Sequence, residues 1–231
     1  MKKLFAFLGW LALALAGIFL AVQLSFLARV WWWKDHNPQS TAFMESSLER
    51  LRAKKPEATL RHAWVPYDRI SPALKRAIVV AEDSRFAEHE GFDWDAIEKA
   101  LEKNRKKGKV VAGASTISQQ LAKNLFLSAD RTPWRKGQEA LITVMIEQVM
   151  DKRRILEIYL NVIEWGDGVF GAEAAARHYY ATSAASIGPE AAARLAAIVP
   201  NPRFYDRNRS SSWITRKTQV ILARMPAAEL P

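Results

Sequence analysis

The first pattern in the chain is an apolar run from Leu4 to Val22 that contains no charge and continues to Leu27 with only Gln23 and Ser25 as polar interruptions. At about 1.5 Å of rise per helical residue, about 20 such residues cross a hydrocarbon layer of about 30 Å. Lys2 and Lys3 precede the run, and Arg29, Trp31, Trp32, Trp33 and Lys34 follow it, an aromatic and cationic grouping suited to a lipid headgroup boundary. The run predicts one transmembrane helix with a cytoplasmic N-terminus, the rest of the chain lying outside the cytoplasm. Ala14 and Ala16 offer the small residues of a cleaved signal peptide, but the apolar run extends well past them, so a retained anchor is expected.

Residues 34–59 hold Asn37-Pro38-Gln39-Ser40-Thr41 and the charged stretch Glu49 to Pro56, with little sustained periodicity. They read as a juxtamembrane linker, helical in part. Beyond Leu60, where Trp64 to Tyr67 predict an extended or turn segment, the apolar spacing is helical almost throughout. Ser71-Pro72 is a cap and first-turn proline for a helix bearing Leu74, Ala77, Ile78 and Ala81. Asp93 caps a second helix carrying Trp94, Ile97 and Leu101, which is expected to give way at Asn104 to a basic, mobile loop running to Gly113. Ser115 or Thr116 opens a third helix. A long one follows Pro133, with Leu141, Met145, Val149 and Leu156 near one face and a break near Asp151. Ala-rich helices are expected around 172–180 and 190–198, and an amphipathic one at 213–225. No alternating strand stands out, so the chain predicts an all-α fold in three parts: an anchor at 1–33, the linker at 34–59 and one folded domain at 60–231.

The length supports this division, because 231 residues minus the anchor leave enough chain for one core. Lys and Arg outnumber Asp and Glu by 34 to 24, which predicts a positive surface facing a phosphate-bearing partner: nucleic acid, anionic lipid or a diphosphate. Export makes nucleic acid the least attractive of these. There is no cysteine, which excludes thiol catalysis, disulfides and Cys-based zinc sites.

Four polar segments stand out. In Glu82 to Asp93, two adjacent carboxylates end an otherwise apolar helix; either suits a general base raised by partial burial, or is a solvated helix-end charge. His89 fits a hydrogen-bonded structural role better than that of a second base. In Gly113 to Asn124, Gln119 and Lys123, and likewise Gln120 and Asn124, are four apart, so amides and an ammonium line adjoining stripes of one helix. Amides hold sugar hydroxyls and N-acetyl groups and a lysine holds phosphate, although an exposed polar face explains the pattern equally well. Arg131, Arg135 and Lys136 crowd ahead of Glu139, as a diphosphate site or a solvated basic turn; amid these cations Glu139 suits an orienting or cation-binding role better than proton donation. Asp151 to Asn161 reads as structural. Gly166, Gly168 and Gly171 spell a dinucleotide-binding glycine pattern but follow a helical stretch, so no cofactor site is assigned there.

In order and without a gap, the blocks Glu-Asp-x-x-Phe-x-x-His-x-Gly-x-Asp from Glu82, Gly-x-Ser-Thr-x-x-Gln-Gln-x-x-Lys-Asn from Gly113, Arg-Lys-x-x-Glu from Arg135 and Lys-x-x-Ile-Leu-Glu-x-Tyr-Leu-Asn from Lys152 resemble the signature motifs of the peptidoglycan glycosyltransferases. This is the domain of bifunctional penicillin-binding proteins and of monofunctional biosynthetic transglycosylases. The likeness covers about residues 62–205, and no stretch downstream is long enough for a transpeptidase domain, so the monofunctional, single-span form is expected. It implies a lysozyme-like helical domain with a membrane-proximal jaw that takes lipid tails, placed periplasmically on a bacterial inner membrane.

The resemblance makes Glu82 the general base for the sugar 4-hydroxyl of lipid II, which attacks the anomeric carbon of the growing glycan strand with inversion as undecaprenyl diphosphate leaves. Lys123 and Arg131 match positions that steady the diphosphate, with Arg135 and Lys136 nearby. Ser115, Thr116, Gln119, Gln120 and Asn124 join them as substrate-binding candidates. Glu139 matches a second essential carboxylate, for positioning or for holding a divalent cation, magnesium or manganese; no cofactor is otherwise required. Expected partners are lipid II, the strand, membrane lipid and the division or elongation machinery, with no nucleic acid. After Pro200-Asn201-Pro202 the second proline of many members is missing, so no site residue is assigned there. The rival reading is a lytic peptidoglycan glycosidase, which needs an acid kept neutral by an apolar pocket instead of cations around a leaving diphosphate.

Overall fold

The computed structural model describes residues 1–109, 111, 113–130 and 132–231. It is 67% helical, as the periodicity predicts. Helix α1 (Lys2–Trp33) is the one helix long and apolar enough to cross a membrane among the described residues, and its residues 2–22 are exposed. Its C-terminal third docks on the rest of the chain. Gln23 Nε2 donates to Gln138 Oε1 at 2.9 Å, Phe26 and Trp33 pack on the Phe126 ring, and the Arg154 guanidinium donates to the carbonyls of Trp33 and His36.

The expected linker contains a second helix, α2 (Ala42–Arg52), capped by Thr41 Oγ1 accepting from Met44 N. Met44 and Ser47 are buried, and Arg50 reaches Asp167 at 2.6 Å, so this stretch is clipped to the folded body. Charge masks its periodicity in the sequence.

Helix α3 (Pro72–Glu82) starts where Ser71 Oγ accepts from Ala73 N and Pro72 presets the first turn. It buries Leu74, Ala77 and Ile78 and stops at Glu82, because Asp83 leaves helical geometry (φ −164°, ψ 77°). Helix α4 (Trp94–Lys107) runs through the basic residues expected in a loop, ending at Gly108 in the left-handed region. Val110 and Ala112, in the remainder of that expected loop, lie outside the described residues.

Helix α5 (Ile117–Phe126), α6 (Pro133–Val149) and α7 (Lys152–Val162) follow, with Thr116, Thr132 and Asp151 as N-caps. The buried face of α6 is Gln138, Glu139, Ile142, Thr143 and Ile146, while Leu141 and Val144 are exposed. The expected Leu141–Met145–Val149 face is displaced by one residue because a buried glutamate and amide occupy the inner stripe. Helix α7 is the centre of the core: Ile155, Leu156, Ile158, Tyr159 and Leu160 are fully buried, each aliphatic contributing roughly 1.5–3 kcal/mol by leaving water. Asn161 pins the incoming chain to it, accepting from Val65 N and donating to Val65 O.

A small sheet departs from the all-helical expectation. Strand β1 (Arg61–His62) lies parallel to β3 (Val169–Phe170), which pairs antiparallel with β2 (Glu164–Gly166). Strands of two or three residues have no alternation to read. Gly171 closes this hairpin with φ +82°, and a Cβ there would sit 2.6 Å from Asn161 O.

Helices α8 (Ala172–Tyr180), α9 (Pro189–Ile198), α10 (Pro202–Arg207) and α11 (Ser212–Arg224) complete the chain. α9 and α11 pack on α3. The short α10, absent from the sequence expectations, is tied to the hairpin by Arg203 gripping Glu164 with both oxygens in reach and by Asp206 accepting from Asp167 N, His178 and Arg209.

Candidate active site

The adjacent carboxylates at the end of α3 have different environments. Asp83 accepts from Ile117 N at 3.0 Å, capping α5 from outside, and lies 2.9 Å from His89 Nε2. Its oxygens are committed to architecture. Among the described residues Glu82, partly buried, has one hydrogen-bond partner, Gln120, whose Nε2 donates to Oε2 at 2.9 Å. Burial raises the Glu82 carboxyl above the ordinary carboxylate range, opposed by that hydrogen bond and by the charges of Lys217 and Lys123.

Two recesses meet here. One, of about 190 Å³, is lined by Glu82, Asp83, Ser84, Asp93, Ser115 and Thr116. The other, of about 160 Å³, is lined by Phe43, Gln120, Lys123, Asn124, Glu164 and Pro202. Gln120 belongs to the second and reaches Glu82 in the first, so α5 forms the partition between them.

The α5 residues divide by face. Thr116 and Gln119 are buried and close a reciprocal cap: Thr116 Oγ1 accepts from Gln119 N, and Gln119 Oε1 accepts from Thr116 N. The Thr116 hydroxyl donates to Gly91 O at 2.7 Å. Gln119 thus turns inward, and the stripe facing the second recess is Gln120, Lys123 and Asn124. Asn124 Nδ2 donates to Gln120 O, and Ser115 is exposed at the first recess. Behind α5, Ser118 donates to Glu147, which Lys152 also holds at 2.8 Å.

Lys123 projects 5.4 Å from the Phe43 ring centroid, so α2 supplies a wall of the site. Burial lowers its ammonium from the ordinary lysine value; Glu139 opposes this, Arg135 and Lys136 reinforce it, and Glu82 acts from the other side. These five charges form one electrostatic cluster. Glu139 is buried with both oxygens occupied, one by Arg135 Nη1 at 2.5 Å and the other by the Lys136 ammonium. That geometry matches orientation of the two cations. Among the described residues no group of three or more His, Cys, Asp or Glu side chains is placed to hold a metal ion. Arg131 lies outside the described residues.

Sequence reading missed three contributors. Lys217, half-buried on α11, acts on Glu82 from a distant part of the chain, and nothing distinguishes it from other surface cations. Phe43 lies in the expected linker. Tyr159, in the block read as structural, donates from the core to Gln120 Oε1 at 2.9 Å.

The chain is similar to known proteins along nearly its whole length. A family model described as Transglycosylase matches residues 49–226. The chain is 62% identical over 231 residues to a protein of Dechloromonas aromatica, covering all of both chains. It is 62% identical over 218 residues to one of Chromobacterium violaceum, covering 94% of this chain and 96% of that one. It is 64% identical over 209 residues to one of Nitrosospira multiformis, covering 90% and 91%. All three relatives are named biosynthetic peptidoglycan transglycosylase.

Proposed function

We propose that this chain, which belongs to the transglycosylase family, is a peptidoglycan glycosyltransferase that polymerises lipid II into glycan strands. Glu82 takes the proton of the incoming sugar 4-hydroxyl as that oxygen attacks the anomeric carbon of the growing strand. The bond from that carbon to the diphosphate breaks, the electron pair leaves with undecaprenyl diphosphate, and the anomeric centre inverts. Negative charge grows on the departing group, and Lys123, Arg135 and Lys136 neutralise it from preset positions, joined by Arg131, which precedes Arg135 in the chain. Ser115, Gln120 and Asn124 meet the sugars, while Thr116 and Gln119 build the floor beneath them. Glu139 orients the cations. With α1 as a single-pass anchor, the domain works at the periplasmic face of the inner membrane, where a lipid-linked substrate is at hand.

The observation that carries this reading is a partly buried carboxylate whose one hydrogen-bond partner among the described residues is neutral, in the same cluster as Lys123. Burial of Glu82 is also what the acid of a cleaving enzyme needs; the cations beside it favour transfer. Purified full-length protein in detergent, given lipid-linked disaccharide, is expected to make long glycan polymers. Shortening of preformed glycan without elongation supports the cleaving enzyme instead.

A further inference from the structure

Tyr159 belongs to a block whose other members pack or pin the fold. Its ring is fully buried on α7, and among the described residues its hydroxyl has one partner, Gln120 Oε1, at 2.9 Å. The same amide turns its other end, Nε2, to Glu82 Oε2 at 2.9 Å. A primary amide is nearly the same shape either way round, so its neighbours decide which end points where.

We propose that Tyr159 is a positioning residue for the glycosyl transfer: by donating to Gln120 Oε1, its hydroxyl fixes which end of the Gln120 amide faces Glu82. This rests on the reading of Glu82 as the base. A phenol both donates and accepts, but an ionised carboxylate only accepts, so Glu82 requires the NH2 end of the amide. That leaves Oε1 for Tyr159, which must then donate. Burial lifts the Tyr159 phenol well above its ordinary value, so it keeps its proton across the working pH range. Without the hydroxyl, nothing on the α7 side holds the carbonyl end. A flipped amide would set Oε1 against the carboxylate, opposing its ionised form and accepting from its protonated form.

The other groups facing Glu82 stay in place when the hydroxyl is removed. They are Asp83 beside it, Lys123 on α5 and Lys217 on α11. α9, also packed on α3, buries alanines and aliphatics and adds none of these strongest charges. A change in Glu82 therefore reports the amide.

The test is Tyr159→Phe in the full-length protein, with the Glu82 carboxyl carbon followed by NMR through a pH titration. Glu82 is expected to titrate about one unit higher than in the wild type, the scale of one lost hydrogen bond to a charged group. Because the base must be ionised, the acid limb of kcat/KM should move up in pH by the same amount. In a Gln120→Leu background the tyrosine change should shift Glu82 no further. A folded Y159F protein with an unmoved Glu82 overturns the proposal, as does an equal shift in the Q120L background. In the wild type the Gln120 side-chain NH2 signals should follow the Glu82 titration, and an amide that ignores it is also decisive against the proposal, even if Y159F fails to fold. None of the NMR measurements needs substrate, so a wild-type protein that makes no polymer defeats the proposed function and leaves these readings distinguishable.

Discussion

Glu82, partly buried at the end of α3, and Glu139, buried within α6, are both glutamates of the family blocks, and Lys123 stands in electrostatic reach of each. Glu139 is saturated, with a guanidinium on one oxygen and an ammonium on the other. Among the described residues Glu82 has an amide and more distant cations. Burial without a paired charge makes a carboxylate reach for a proton, whereas burial with two paired charges makes it a fixed strut. Asp83, next to Glu82, follows the strut pattern with a backbone N–H and a histidine in place of the cations.

Glu82→Gln tests the contrast most severely. Polymer formation is expected to fall by about 10²–10⁴-fold or more, the worth of a general base. The unfolding temperature, by calorimetry, should not fall at pH 8. Here the sign follows from a carboxyl raised on folding: its penalty is fully present above the raised value and absent below the ordinary carboxylate range. Any thermal gain in E82Q should therefore vanish as the pH drops to about 4. A variant strongly destabilised at pH 8 would mean that Glu82 is a strut after all.

Lys123→Met should lower kcat by about 10²-fold through the leaving group. It should also move the acid limb to higher pH, because a cation that favours ionised Glu82 has gone. Loss of rate with an unmoved limb would disconnect the two ends of the cluster.

Glu139→Gln should fail in stability as well as rate. Removing one partner of a buried ionic group costs up to about 3–5 kcal/mol, tempered here by the half-exposed Lys136. An unfolding temperature equal to that of E82Q would erase the distinction between the glutamates.

Asp206 extends the strut pattern to α10. Burial alone would raise it, but the His178, Arg209 and Asp167 N–H hydrogen bonds outweigh that and hold it at about 2. Its stabilisation is present above the ordinary aspartate value and is lost as pH falls toward about 2. Asp206→Asn should lower the unfolding temperature at pH 7, with the difference shrinking on acidification.

The smallest effect is expected at the N-terminal apolar helix. Gln23→Leu removes the hydrogen bond to Gln138 between α1 and α6, worth about 0.6 kcal/mol by analogy with membrane helix pairs. Hydrogen exchange at the start of α6 should rise slightly while polymerisation stays within about threefold.

The helices that begin at a clear cap were legible. Ser71-Pro72, Asp93, Thr116, Pro133 and Pro189 announced α3, α4, α5, α6 and α9 because capping and first-turn proline chemistry are local. Helix α2 showed only as partial helicity in the linker, its bounds obscured by its charges, while α10 was hidden by its length and the sheet by strands too short to alternate. The inner face of α6 was misplaced because Glu139 and Gln138 are buried polar residues. Hydrophobicity alone sends such residues outward, and only partners from other elements reverse that.

The sequence by itself determined the apolar N-terminal helix, the run of helices and the inventory of chemical groups, since spacing, caps and motif order are properties of neighbours along the chain. It could not give Glu82 and Asp83 their different surroundings, turn Gln119 inward and Gln120 outward, or bring Lys217, Phe43 and Tyr159 to the cleft. Those assignments depend on which distant atoms stand within about 3–5 Å, the range over which hydrogen bonds and desolvation set a group's reactivity. Folding alone brings such atoms together.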